Sequence, residues 1–338
     1  MNNNTVINIK PLGFHWETIN PFLFCAHHLD AYPAGNDQME PQASLEGREL
    51  GNDFEIRDGW RMYHGTKVPG FPAHPHRGFE TITIVLEGMI DHSDSLGGAG
   101  RYGKGDVQWM TAGTGLQHSE MFPLINSSKE NPLELFQIWL NLPASAKFVA
   151  PHYKMLWKED IPVLALKDSN GKQTVITLIA GNIGNKKALP PPPDSWAAKE
   201  ENEVAVWLIR MEKGASWEIP AAMQDLTRSL YFYKGSHIKI AGQDIPSYKA
   251  IILRADNKVI VENGGDEGQL LLLQGRPINE PVSQYGPFVM NTQTEIQQTI
   301  DDYRKTQFGG WPWPRHDHVH ERTSGRFAIF TDGRREDR

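Results

Sequence analysis

Short runs of apolar and β-branched residues, cut at regular intervals by turn residues, organise this chain. Phe79 to Leu86 is rich in Thr, Ile and Val, breaks at Glu87-Gly88, and resumes from Met89 to His92. Gly97, Gly98 and Gly100 mark a loop, and Gly103 and Gly105 bracket a turn before Asp106 to Met110. Successive strand residues point to opposite faces, so Leu133 to Leu142 sets Phe136, Ile138, Leu140 and Leu142 on one side. The second half repeats this rhythm. Ser229 to Tyr233 ends in Lys234-Gly235, and His237 to Ile240, Ala250 to Arg254, Lys258 to Glu262 and Gln269 to Gln274 follow. Many short strands with turns between them predict an all-β chain built from antiparallel sandwiches or barrels, here duplicated. One helix is expected over Glu295 to Arg304, where Ile296, Ile300 and Tyr303 share a side.

The proline run Pro190 to Pro193 favours extended polyproline geometry and suits a linker. It sets the expected boundary between a first domain at 1–189 and a second at 190–338. The latter would end in the helix and in a tail that is too rich in proline, at WPWPRHDHVH, for a central strand.

Composition narrows the class. A chain of 338 residues more readily holds two folding units than one. It carries 34 Lys and Arg against 41 Asp and Glu, a formal charge of −7, with no basic cluster. Direct nucleic-acid binding is therefore not expected, since phosphate contacts need concentrated positive charge. Cys25 is the one cysteine, so no intramolecular disulfide can form; its setting in PFLFCAHH reads as a buried small hydrophobe. MNNNTVINIK lacks a basic start and an apolar run, and the longest apolar runs are too short for a bilayer. A soluble, monomeric, cytoplasmic protein is expected.

The chemistry lies in two dyads. His74-Pro75-His76 opens HPHRGFETITIVLEG and His118-Ser119-Glu120 closes GDVQWMTAGTGLQHSE. Residues two apart in a strand share a face, so each dyad aims two side chains the same way. Brought together, they converge three imidazoles and one carboxylate, a set suited to a divalent transition metal with positions left for exogenous ligands. Fe(II) suits the hard, nitrogen-rich set, and Zn, Mn, Ni, Co or Cu are alternatives. Asp106, Gln108 and Arg77 are nearby candidates for orienting the ligands. The second half has no such set, because His237 is its one histidine before residue 316. His316, His318 and His320 with Glu321 read as part of a solvated tail, and His27 and His28, being neighbours in a strand, face opposite ways.

FPAHPHRGFETITIVLEG, DSLG and GDVQWMTAGTGLQHSEM resemble the metal-bearing half of the pirin family, and RPINEPVSQYGPFVMNT with EIQQTIDDY resemble its C-terminal segment. The resemblance implies a bicupin, two antiparallel jelly-roll domains with one metal in the first. It implies that His74, His76, His118 and Glu120 are the ligands. Many other cupins use the acidic residue four beyond the second histidine, here Glu80, which stands as the alternative ligand. The chain departs from the pattern by an insertion at about 35–68, including SLEGREL and DGWRMYHGTKVP, which is expected near the metal mouth.

By resemblance, the activity would be quercetin 2,3-dioxygenase-like: a small aromatic substrate and O2 meet at the metal, with His118 and Glu120 in the catalytic machinery. The other function class is a non-catalytic metal- or redox-sensing regulator that acts through a protein partner.

Overall fold

A computed structural model describes residues 5–338. The chain is mostly strand and forms two compact units. One comprises the chain up to Ala26, Ile138–Asn141 and Glu159–Asn279; the other comprises His27–Gln137, Leu142–Lys158 and Glu280–Arg338. The expected division at the proline run does not hold, because that run lies inside the first unit. The reason is long-range pairing. Val6–Pro11 pairs antiparallel with Lys249–Arg254, and Phe327–Ile329 pairs with Ala99–Gly103. Each end of the chain thus joins the unit made largely from the other half.

The first unit has a seven-stranded sheet and a four-stranded one. The long sheet runs Val6–Pro11, Lys249–Arg254, Thr227–Lys234, Gly268–Gly275, Ala205–Met211, Gln173–Ala180, Val163–Lys167, with antiparallel neighbours. The short one runs Ser216–Ile219, Val259–Asn263, His237–Ile240, Gln243–Pro246. Alternate residues such as Leu230, Phe232, Ile251, Leu253, Leu270 and Leu272 are wholly buried in its core. That is the period-two pattern of two sheets packed face to face.

In the second unit, His152–Leu156, Val107–Thr111, Phe79–Glu87 and residues 131–137 and 27–32 lie side by side in one sheet. The other sheet runs Arg335–Asp337, Phe327–Ile329, Ala99–Gly103, Met89–Asp94, Leu116–Met121, Gly70–His76. The helix Gln293–Thr306 also belongs here. Thr292 caps it through a full capping box with Glu295, whose backbone N–H donates to the Thr292 hydroxyl. The expected helix and strands are therefore present. The expectation of a solvated tail is not met. The tail supplies two strands to the sheet, and Arg101 draws its backbone in, as described below.

Candidate metal centre

The HPH and HSE strands are direct neighbours. Gly70–His76 pairs antiparallel with Leu116–Met121, so that His74 faces His118 and Pro75 faces Gln117. Two glycines lead into the HSE strand. Gly113 has φ 48°, and a Cβ there would lie 2.1 Å from the Val149 carbonyl oxygen; Gly115 has φ 120° and packs under the Phe308 ring.

His74, His76 and His118 come together, with one ring nitrogen of each within 4.8 Å of the others. Their ring centroids are 4.6 Å (His74–His118), 4.7 Å (His74–His76) and 4.9 Å (His76–His118) apart. Burial presses the pKa of His74 down to about 4 and holds those of His76 and His118 well below the usual imidazole value. All three rings are neutral at pH 7 and present lone pairs. The His74 Nδ1–H donates to the Pro72 carbonyl at 2.9 Å, leaving Nε2 for the centre. His76 is oriented by the Pro287 carbonyl. Neither ring nitrogen of His118 has a hydrogen-bond partner among the described residues, although the side chain is fully buried. A buried imidazole without a partner is costly unless something coordinates it, so this donor set fits a metal ion.

Glu120 stands beside the triad rather than within it. Its Oε2 lies 3.9 Å from His118 Nε2. Oε1 accepts from the Thr83 hydroxyl at 2.9 Å and lies 3.4 Å from the Tyr102 hydroxyl oxygen, and Oε2 accepts from Gln137 Nε2 at 2.8 Å. Burial raises its pKa, and the Thr83 and Gln137 donors oppose that rise. Glu80 is fully buried on the neighbouring sheet, where its carboxylate accepts from the Thr111 hydroxyl at 2.7 Å; it is not in the imidazole group.

Of the three expected orienting residues, Asp106 and Arg77 act elsewhere and Gln108 stands behind Glu120. Asp106 accepts from the Gly103 and Lys158 backbone N–H groups and pairs with Arg326. Arg77 donates to the Thr114 carbonyl and pairs with Asp302. Gln108 bonds His92 Nδ1 at 2.8 Å and accepts from Tyr102. The sequence reading missed His92. Met89–Asp94 pairs with the HSE strand so that His92 faces Glu120 and Asp94 faces His118. His92-Ser93-Asp94 is itself an alternating dyad, and that spacing was the available signal. Its ring, wholly buried, stacks on Tyr153 and lies 5.5 Å from the His118 ring. His92, Gln108, Tyr102, Thr83 and Gln137 thus form a polar network behind Glu120.

His27 bonds Glu134, while His28 packs edge-on to Tyr63 and Phe71, so the two neighbours share no site. Among the described residues His316, His318 and His320 do not converge as a group of metal-capable donors. His318 stacks on Trp313, and His320 bonds the His92 carbonyl. Cys25 is fully buried, and burial raises its thiol pKa, as expected of a packing residue. No helix of the described residues is long and apolar enough to cross a membrane.

Comparison with known proteins agrees with this geometry. The family model "Pirin" matches residues 15–140, and "Pirin C-terminal cupin domain" matches residues 206–309. Human pirin is 34% identical over 254 residues, covering 73% of this chain and 80% of that protein. A Pseudomonas aeruginosa protein, whose name gives quercetin 2,3-dioxygenase as a provisional activity, is 35% identical over 241 residues, covering 71% of this chain and 79% of that protein. The crystal structure of quercetin 2,3-dioxygenase from Acinetobacter baumannii superposes with a TM-score of 0.68 at 27% identity, covering 91% of this chain and 96% of that one. With two cupin domains, the three-histidine centre and these matches along most of its length, the chain belongs to the pirin family.

Proposed function

We propose that this chain is a metal-dependent dioxygenase acting on a planar aromatic substrate with adjacent oxygens, such as the flavonol quercetin, and cleaving its 2,3-bond. The observation that carries the reading is the convergence of three neutral imidazoles, two buried and one half-buried, beside a single carboxylate. The names of the Pseudomonas and Acinetobacter relatives support the substrate class. In this reading His74, His76 and His118 hold one divalent ion, Fe(II) before Zn, Mn, Ni, Co or Cu, and Glu120 is the fourth ligand. Such an ion supplies Lewis acidity that lowers the pKa of a substrate hydroxyl and keeps substrate beside O2. Glu120 is the carboxylate positioned to take the hydroxyl proton, while Thr83, Tyr102 and Gln137 hold it in place. Over the reaction one O2 is consumed, the C2–C3 and C3–C4 bonds of the flavonol both break, C3 leaves with its own oxygen as one carbon monoxide, and both atoms of O2 remain in the ring-opened ester.

The second reading is a metal- or redox-sensing regulator that acts through a protein partner. The deep burial of His76 and His118 favours it. Oxygen uptake and carbon monoxide release with quercetin, measured on metal-loaded wild type and His118→Ala, separate the two. Turnover by wild type and none by His118→Ala is the expected result. No turnover by fully loaded wild type overturns the enzyme reading in favour of the regulator.

A further inference from the structure

Two rings of the insertion, Phe54 and His64, meet Phe71 of the HPH strand and lead from solvent toward the metal centre. Phe54 lies 5.0 Å from His64 and 6.5 Å from Phe71, and His64 lies 5.7 Å from Phe71. They form a closed triangle of edge-on and tilted rings. Phe71 continues it to His74, at 6.3 Å. Tyr63, fully buried, backs the triangle at 5.6 Å from Phe54 and 5.2 Å from Phe71. Phe54 and Phe71 are half-buried and His64 is exposed, so the triangle keeps an open side.

The insertion is held as a wall. Arg48 Nη1 pairs with Asp53 at 2.9 Å, and Asp53 accepts from the Met62 backbone N–H. Asp30 pairs with Arg61 at 2.9 Å and accepts from the Tyr63 hydroxyl at 2.6 Å. These groups are buried, and breaking such pairs leaves an uncompensated charge. The His64 ring is fixed too. Its Nδ1 lies 2.7 Å from the Gly51 carbonyl oxygen, which can only accept, so Nδ1 carries the proton and Nε2 offers a lone pair.

We propose that Phe54, His64 and Phe71 form an aromatic step that binds the flat ring system of the substrate, with His64 Nε2 accepting a hydrogen bond from a ring hydroxyl. The step determines specificity, and it rests on the reading that the metal centre binds an aromatic chelator. Flat rings gain from edge-on and offset contacts with such a wall, whereas a small aliphatic chelator reaches the ion without touching it.

The test uses the full-length protein loaded with Ni(II) and kept free of O2, so that no turnover intrudes, and calorimetric titration with two probes, quercetin and acetohydroxamate. Metal content is checked for every variant. Phe71→Ala and His64→Ala should each weaken quercetin roughly three- to tenfold. His64→Phe, which keeps the ring and removes the acceptor, should recover part of the loss. Acetohydroxamate affinity should stay within about twofold of wild type, the spread expected where no stacking contact is lost. His64 is exposed, so its variants fold even if Phe71→Ala does not. Unchanged quercetin affinity in the His64 variants, or an equal loss for both probes, overturns the step and leaves the functional reading standing. Failure of wild type to bind quercetin while it binds acetohydroxamate overturns the functional reading, and the step falls with it.

Discussion

Lys147 shows how burial alone sets a residue's behaviour. Its ammonium lies in the metal-bearing unit and donates to the Gly78 carbonyl at 2.9 Å and the Val289 carbonyl at 3.0 Å. Burial lowers its pKa from 10.5 to about 8, and Glu280 and Glu295 oppose the shift. The folded chain thus gives up this proton before the unfolded chain does. Between about pH 8 and 10.5 the unfolded state binds more protons, so stability rises with pH; below about 8 the whole cost of burying the charge is present. Lys147→Met removes this term. The unfolding free energy of wild type relative to Lys147→Met, from urea titrations, should climb between pH 7.5 and 10 by up to about 3 kcal/mol. The buried tyrosines, whose raised pKa values act above pH 10, are common to both proteins and cancel. A difference that does not change with pH would rule out the buried-charge account. A second residue-scale expectation concerns the two glutamates. Glu120→Gln should weaken metal affinity because it removes the anionic oxygen beside His118. Glu80→Gln should leave metal content unchanged, since Glu80 answers Thr111 instead. Elemental analysis after dialysis checks both, and metal loss in Glu80→Gln alone would reassign the fourth ligand.

Among the elements, the strands of both units follow the alternation visible in the sequence, and the HPH and HSE dyads face each other as their spacing requires. The tail was not legible. Phe327–Ile329 is only three residues long, too short for a period to register, and its partner strand lies more than two hundred positions earlier. Beside its strand pairing and the Arg326–Asp106 pair, one buried ion pair draws the tail in. Arg101 forks onto Asp91 at 2.6 and 2.7 Å, and its remaining N–H groups donate to the carbonyls of His320, Glu321 and Arg322 at 2.9, 2.7 and 3.2 Å. Asp91 in turn accepts from the His320 backbone N–H at 2.8 Å. A planar guanidinium suits this, because its donors are already spread in a fixed fork. Arg101→Met leaves Asp91 buried and three carbonyls without their donor. It should cost about 3–5 kcal/mol and make the chain beyond Gly310 the first site of limited proteolysis. Arg101→Met combined with Asp91→Leu should regain part of the stability while the tail stays loose. Equal protease resistance in wild type and Arg101→Met would show that the strand pairing and the remaining polar contacts hold the tail without the Arg101 fork.

At the scale of the whole molecule, the sequence conveys the duplication of cupin units and the single metal set, but not the exchange of chain ends between units. Composition marks loops, whereas sheet membership is decided by backbone pairing across distances that no local window spans. The same duplication makes metal stoichiometry a test of the whole reading. Among the described residues one group of three imidazoles forms, in the unit that carries His74 and His118. The unit that contains His237 offers a core of Leu, Ile, Phe and Trp side chains instead. One divalent ion per chain should therefore survive dialysis, and none should survive in His118→Ala. Because the ion binds only folded protein, free metal at a hundred times its Kd should stabilise wild type by about 2.7 kcal/mol, so the wild-type Tm rises with metal concentration while that of His118→Ala stays flat. An equivalent of metal retained by His118→Ala, or a second equivalent in wild type, would place an ion where the sequence and the fold provide no convergent donors. The assignment of a single centre would then fail.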